Sequence, residues 1–317
     1  MKEKIILFGT GKMGLEYLKI LNNLDFECIV VGRDGKKADE IAKQFEFVGY
    51  GNGSQTLNLF DKKSIKYAIV ATTIESTKDV TISCIKHGIQ NILVEKPGSK
   101  NINELNEILN EKKDNQKIIF AHNRRSYNSV MMLKENIKKD GGPLGAFFDF
   151  TEREKDLLQS NRNLEIIKIQ GLGNSIHVID TAFDIIGNPI DLIPKIEGHL
   201  DCHPSGTIFV GCGKTKNCLF SYFATWTGGG RWSIEVSTKE GRYKLSPIEE
   251  LHFCKKNQFN WIQIQNEDSD DKNYKPGLYK LVMQFLEQKD YNLKMPNLEE
   301  QIETFKIINK ICGYKNE

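Results

Sequence analysis

The sequence predicts an α/β protein with an N-terminal, doubly wound parallel sheet and a C-terminal α/β domain built on a mixed, largely antiparallel open sheet. Three observations carry this reading. Short apolar runs alternate with helical patterns up to about residue 122, as successive strand–helix–strand crossovers require. The first apolar run passes straight into Gly9-Thr10-Gly11-Lys12-Met13-Gly14, a glycine loop in a strand–turn–helix setting. After Arg125 the alternation stops, and strand-like runs follow one another between short turns.

In the N-terminal part the strands are expected at Lys4–Phe8, Phe26–Val31, Phe45–Val48, Lys66–Ala71, Asn91–Val94 and Lys117–Ala121. Helical spacing fills the intervals, at Lys12–Asn22, Lys36–Gln44, Ser76–His87 and Ile102–Lys112. A ligand crevice is expected beyond the C-terminal ends of these strands. Further on, Tyr127–Lys139 reads as a helix stopped by Gly141-Gly142-Pro143. A strand over Ala146–Arg153 and a helix over Ile176–Ile186 follow, the helix ending at Gly187-Asn188-Pro189. Between Lys195 and Gln265 the strand-like runs include Thr207–Val210, Cys218–Thr225, Trp232–Ser237 and Trp261–Ile264. Leu278–Glu287 and Leu298–Cys312 return to helix. The expected domains are therefore 1–122 and 123–317.

Composition agrees and excludes some classes of function. A chain of 317 residues exceeds what one core usually holds. Lys and Arg number 44 against 42 Asp and Glu, so there is no electrostatic case for binding nucleic acid or a membrane surface. No apolar run approaches membrane-spanning length, and the first strand begins too early to leave room for a signal peptide. The 7 cysteines are scattered without a C-x-x-C pair, which reads as reduced thiols in a cytoplasmic protein. Cys202-His203, Cys212 and Cys218 match no zinc spacing, so no metal is expected.

The glycine loop is a dinucleotide fingerprint. Gly9 permits the tight turn, Gly11 lets the backbone approach a pyrophosphate, and Gly14 lets the helix pack on the strand. The helix N-terminus then presents unpaired N–H groups to the phosphates. The second strand ends Val30-Val31-Gly32-Arg33-Asp34, with Lys36 and Lys37 behind. An NAD site places an acid at that strand end. Arg33 instead suits a 2′-phosphate, with Asp34 one residue late for the ribose, so NADP is preferred over NAD. The fifth strand ends in Glu95-Lys96-Pro97. A lysine there points into the crevice, where burial and a cationic nicotinamide would lower its pKa and suit it to proton transfer; by spacing alone an edge lysine is more often simply solvated. The Lys96-Pro97 bond is a candidate for cis.

These motifs, followed by Ile176-His177-Val178-Ile179-Asp180 on a later helix, resemble the Gfo/Idh/MocA oxidoreductases over essentially the whole chain. The resemblance implies a Rossmann nucleotide-binding domain, then an α/β domain whose open sheet mediates oligomerisation, giving a homo-oligomer (dimer or tetramer). It implies hydride transfer between a nicotinamide and a sugar-like polyol or ketose, with Lys96 and His177 as catalytic residues. It places Gly9, Thr10, Gly11, Lys12, Met13, Gly14, Thr72, Glu95, Lys96 and Asn123 at the cofactor, with Arg33 and Asp34 at its ribose. Asn174, Arg124, Tyr127, Asp180 and Thr181 are the candidates for substrate binding. Helix spacing agrees, since Asn174, His177 and Thr181 share one face beside Asp180 and Asp184; a core histidine satisfied by Asp180 is the plainer alternative.

The chain also departs from that pattern. Gly173 stands where the family commonly carries an acid one turn before the histidine. Asn174 can hold a hydroxyl but cannot take a proton. Ala71-Thr72-Thr73-Ile74-Glu75 lacks the usual proline and the later histidine, with Thr77 nearby instead. Arg124 and Arg125 suit either an anionic substrate group or a salt bridge that fastens the domains. Arg153, Lys155, Arg162 and Arg231 would add positive potential to the same cleft, and Gly228–Trp232 reads first as a strand turn. The expected function is an NADP-preferring oxidoreductase of a sugar, anionic or nucleotide-linked. Two alternatives stay open: a redox-neutral epimerase or lyase with tightly held cofactor, and a dinucleotide-binding sensor without catalysis.

Overall fold

A computed structural model describes residues 2–62, 64–155, 163–265 and 267–315. They form two compact units, Met1–Asn123 with Asp270–Glu303, and Arg124–Ser269 with Thr304–Asn316.

The first unit holds a six-stranded sheet in the order β3-β2-β1-β4-β5-β6. Its strands are β1 (Glu3–Phe8), β2 (Phe26–Val31), β3 (Val48–Tyr50), β4 (Tyr67–Val70), β5 (Asn91–Glu95) and β6 (Lys117–Ala121). Every neighbouring pair is parallel. Ile5, Ile6, Leu7 and Phe8 are all buried, as a strand covered by helices on both faces must be. Strand order reverses between β1 and β4, and a crevice opens at such a switch point. The third strand begins later than Phe45–Val48. The N–H groups of Phe45 and Phe47 both donate to the Ala42 carbonyl, and Glu46 takes φ 59°. This apolar run therefore closes the helix Gly35–Lys43, with Phe45 and Phe47 packed against the core from a turn.

Residues 270–303 return to this unit. The helix Leu278–Phe285 sends Leu278, Leu281, Val282 and Phe285 into the same core as Tyr17, Leu18, Leu21 and Tyr67, which is the spacing of one helix face. The Phe120 N–H donates to the Pro296 carbonyl and Asn297 bridges to Ile119, so the outer edge of β6 is covered.

The second unit holds an eight-stranded sheet in the order β14-β13-β12-β11-β7-β10-β9-β8. The strands are β7 (Gly145–Asp149), β8 (Pro189–Glu197), β9 (Ile208–Thr215), β10 (Leu219–Thr225), β11 (Ser233–Ser237), β12 (Gly241–Leu245), β13 (Leu251–Lys255) and β14 (Ile262–Ile264). Only β7 and β10 pair in parallel, so the sheet is mixed and largely antiparallel. Its inner face carries Phe148, Phe220 and Tyr222, closed by Phe183 of the helix Ile176–Ile186. Ile193, Val210 and Leu219 stand exposed. Strand β8 had no counterpart among the expected elements. No described helix is long and apolar enough to cross a membrane.

Candidate functional site

The C-terminal ends of β1, β2 and β4 enclose a cleft of about 790 Å³ within the first unit. The glycine loop forms one wall, including Thr10, Lys12 and Met13; Arg33 and Lys37 form a second, and Thr72 a third. The three glycines serve different needs. Gly9 sits at φ +125°, and a Cβ there would lie 2.2 Å from the Ala71 carbonyl oxygen. A Cβ on Gly14 would lie 1.9 Å from the Gly9 carbonyl oxygen. A Cβ on Gly11 would meet nothing within 4 Å. Protein packing thus demands the first and third glycines, while the second leaves bare backbone beside open space. Gly11 also opens the helix Lys12–Leu21, which no side chain caps. Bare backbone at an uncapped helix start fits a pyrophosphate.

At the other end of the cleft, the Gly32 N–H donates to the Tyr50 carbonyl and the Gly53 N–H to the Gly32 carbonyl, at 3.0 Å each. The Asn52–Gln55 turn is thereby laced to the loop carrying Arg33, and it lines the cleft beside it. Nothing in the sequence marked this turn as part of the cleft. The Asp34 carboxylate accepts from the N–H groups of Lys36 and Lys37, at 2.9 and 3.2 Å, and caps the helix Gly35–Lys43. Thr72 shares a 3.2 Å hydroxyl contact with Thr77.

At the end of β5 the Tyr17 hydroxyl donates to Glu95 Oε1 at 2.7 Å. Burial pushes both groups up, Glu95 above the usual carboxylate range and Tyr17 above the usual phenol range. The Lys96-Pro97 peptide is cis. Gln301 Nε2 donates to the Pro97 carbonyl, and Gln301 Oε1 lies 2.8 Å from His122 Nε2. One buried amide thus ties the segment after Lys96 to the residue before Asn123, whose own amide donates to the Pro276 carbonyl at 2.9 Å. Sequence reasoning missed Gln301. The signal was there: it occupies an apolar-face position between Leu298 and Ile302 and Phe305 on the helix Leu298–Cys312.

The second unit gathers a different group. Residues Gly171–Ser175 form a π-helical turn that leads directly into Ile176–Ile186; such turns recur at functional sites. His177 is buried, its ring centroid 6.1 Å from that of Trp232. The Arg124 guanidinium lies over the rings of Trp232, at 5.2 Å, and of Tyr127, at 5.8 Å. Arg125 instead grips Asp180 with both arms, at 2.8 and 2.6 Å, and stands 3.3 Å from Asp184, which also meets Lys134 at 2.9 Å. Arg125 is thus in an ion pair, but with partners inside the second unit, so this pair does not fasten the domains as the sequence suggested. Thr181 is fully buried and its hydroxyl donates to the His177 carbonyl at 2.7 Å. Asn174 donates to Glu152, a buried carboxylate absent from the sequence-based candidates. Arg153, Lys155 and Arg231 are exposed, and Arg162 lies outside the described residues. His203 contacts the Gly206 carbonyl and the Tyr314 hydroxyl, at 2.7 Å each. Among the described residues no cluster of three His, Cys, Asp or Glu side chains suits a metal.

Sheet order, glycine loop and cleft together define a Rossmann-type dinucleotide-binding unit. Residues 4–123, the nucleotide-binding unit without its returning segment, match the model of the Gfo/Idh/MocA oxidoreductase family, NAD-binding Rossmann fold. No curated protein matches the chain in sequence. Among solved structures it is similar to an oxidoreductase from Agrobacterium radiobacter in complex with NAD+, L-tartaric acid and magnesium, at 14% identity and TM-score 0.76, covering 99% of this chain and 96% of that one. It is similar to a UDP-N-acetylglucosamine 3-dehydrogenase from Acidithiobacillus ferrooxidans at 11% identity and TM-score 0.76, covering 100% and 98%. A putative myo-inositol dehydrogenase from Sinorhizobium meliloti gives 14% identity and TM-score 0.72, covering 99% and 98%. At these identities the likeness establishes the fold, which extends through both units.

Proposed function

We propose that this chain is an NADP-preferring oxidoreductase acting on a hydroxyl or carbonyl carbon of a sugar or sugar derivative, anionic or nucleotide-linked. The observation that carries the reading is the cleft: bare backbone at Gly11 for a pyrophosphate, and Arg33 and Lys37 where an NAD site would hold an acid. When bound, the nicotinamide exchanges a hydride with the substrate carbon. Residues of 1–122 serve the nucleotide and residues of 123–317 the substrate. Thr10, Lys12, Met13 and Thr72 surround the dinucleotide, and Arg33 pairs with the 2′-phosphate. Asp34 supports that corner through the helix it caps. Glu95 and Asn123 hold the strand ends beside Lys96, which takes or gives the hydroxyl proton. His177 orients the reacting oxygen; Asn174, Arg124 and Tyr127 position the sugar. Asp180 and Thr181 contribute by fixing the helix that bears His177. The named activities of the similar structures make nucleotide sugars and inositols the first substrates to try. Copies associate through the sheet face carrying Ile193, Val210 and Leu219, and light scattering reads the count.

The test is Lys96→Ala, assayed by NADPH absorbance on a substrate that the wild type turns over. A fall in kcat of about a hundredfold or more is expected for a lost proton-transfer group. A near-normal kcat removes the lysine from the mechanism. Wild-type protein that binds NADPH yet exchanges no hydride across nucleotide sugars, inositols and sugar phosphates overturns the enzymatic reading.

A further inference from the structure

We infer that Glu152 is a positioning residue: it turns the side-chain amide of Asn174 so that a hydrogen-bond acceptor, and no donor, is offered to the ligand. The inference rests on the oxidoreductase reading for what the ligand is, and on geometry alone for the orientation. Asn174 Nδ2 lies 3.1 and 2.9 Å from the two oxygens of Glu152, and Ser175 Oγ donates to Oε1 at 2.8 Å. An amide has both donors on its nitrogen and its acceptor on its oxygen. With the nitrogen end claimed by a carboxylate, a flip of the amide would set oxygen against oxygen in a buried place, where an unmade hydrogen bond is costly. Glu152 is 7% exposed and Ser175 fully buried, whereas Asn174 is partly open. Its Oδ1 bonds to none of the described residues and is the atom left to meet a ligand.

The location gives this orientation a use. Asn174 sits in the π-turn that runs into the helix of His177, three residues further on. At the neighbouring Gly173 even a Cβ would meet nothing closer than Gln170 Oε1 at 3.6 Å, so the turn is not crowded there. The ligand group read by Asn174 is therefore a donor, a hydroxyl rather than a carbonyl or carboxylate. No acid within the turn could impose this. Glu152 arrives from the segment after β7, 22 residues before Asn174.

Two measurements test the inference. Asn174→Asp sets a second carboxylate against Glu152, and facing carboxylates cannot both ionise freely. Its Tm is expected to fall below wild type as the pH rises from about 5 to about 8, and the exchanged pair Glu152→Gln/Asn174→Asp to recover that loss. An Asn174→Asp protein whose Tm tracks wild type across the range overturns the orientation. The second measurement is Glu152→Gln, with NADP+ and a panel headed by myo-inositol and UDP-N-acetylglucosamine. A Gln side chain offers either a donor or an acceptor and so no longer holds the amide one way. KM is expected to rise roughly tenfold with kcat within about twofold, the scale of one hydrogen bond, while NADPH binding stays unchanged. An unchanged KM overturns the recognition role. If the wild type turns over nothing on the panel while binding NADPH, the oxidoreductase reading falls and takes the ligand with it, and the pH series still decides the orientation.

Discussion

Replacing Gly11 and Gly14 separately with alanine should split one loop into two functions. In Gly14→Ala the new methyl would lie 1.9 Å from the Gly9 carbonyl oxygen, whereas a comfortable contact needs about 3.5 Å. Both partners are backbone of the same loop, so the chain itself must move. With no flexible side chain to give way, the overpacking cost lies at the upper end of its range, about 3 kcal/mol, and alanine's helix preference returns about 1 kcal/mol. A net loss near 2 kcal/mol corresponds to a Tm drop of roughly 4–8 °C for a unit of this size. In Gly11→Ala the methyl meets nothing within 4 Å, and the backbone there, at φ −88° and ψ −171°, suits any residue. Reduced freedom in the unfolded chain and the poorer N-cap roughly cancel, leaving Tm within about 2 °C. That methyl occupies the space through which a pyrophosphate approaches, so the Kd for NADPH should rise at least about tenfold, or 1.4 kcal/mol. Thermal melts and titration of NADPH fluorescence read both variants. Gly11→Ala binding NADPH like wild type would refute the pyrophosphate assignment; Gly14→Ala melting like wild type would refute the packing argument.

Arg33→Ala should weaken NADPH at least about tenfold in the same titration and leave NADH within about twofold, since it removes a charge-assisted contact to the 2′-phosphate. Equal losses for both nucleotides would dismiss that assignment. Asp180→Asn breaks the buried pair with Arg125, whose Asp180 side chain is only 2% exposed, and should lower unfolding free energy by about 3–5 kcal/mol in urea melts; a loss under about 1 kcal/mol would count the pair as solvated. Burial pushes the His203 imidazole down to about 4. The unfolded ring takes a proton near pH 6.5 that the folded ring refuses until about pH 4, so this stability is complete above pH 6.5 and drains away on acidification, amounting to about 3 kcal/mol. His203→Gln should flatten the Tm profile in that window, and curves parallel to wild type would exclude the histidine as its cause.

What the sequence disclosed was local. The glycine loop, the β1 and β2 runs and the helix Ile176–Ile186 are contiguous patterns, and each signals itself through spacing alone. Phe45–Val48 misled because an apolar run reads alike whether it extends into a sheet or folds over a helix end. Strand β8 was hidden by Pro189 and Pro194, which read as loop punctuation. Non-local partnerships left no trace. Gln301 meets Pro97 across 204 positions, and nothing near either residue announces the other. Nothing in the sequence set Glu152 apart from the charges around it, and Asp180 stood as a substrate-binding candidate with no sign of its bond to Arg125. Contiguous patterns were legible; the distant partnerships that hold them in place became so only through the fold.

The eight-stranded sheet ends in two unlike margins. On one side lies β8, with prolines at 189 and 194 that have no amide hydrogen to offer an incoming strand. On the other lies β14, only 3 residues long. Proline and brevity are both ways to stop a sheet from recruiting foreign strands. Both margins are thus poor templates, and growth of the sheet edge to edge is disfavoured at either end.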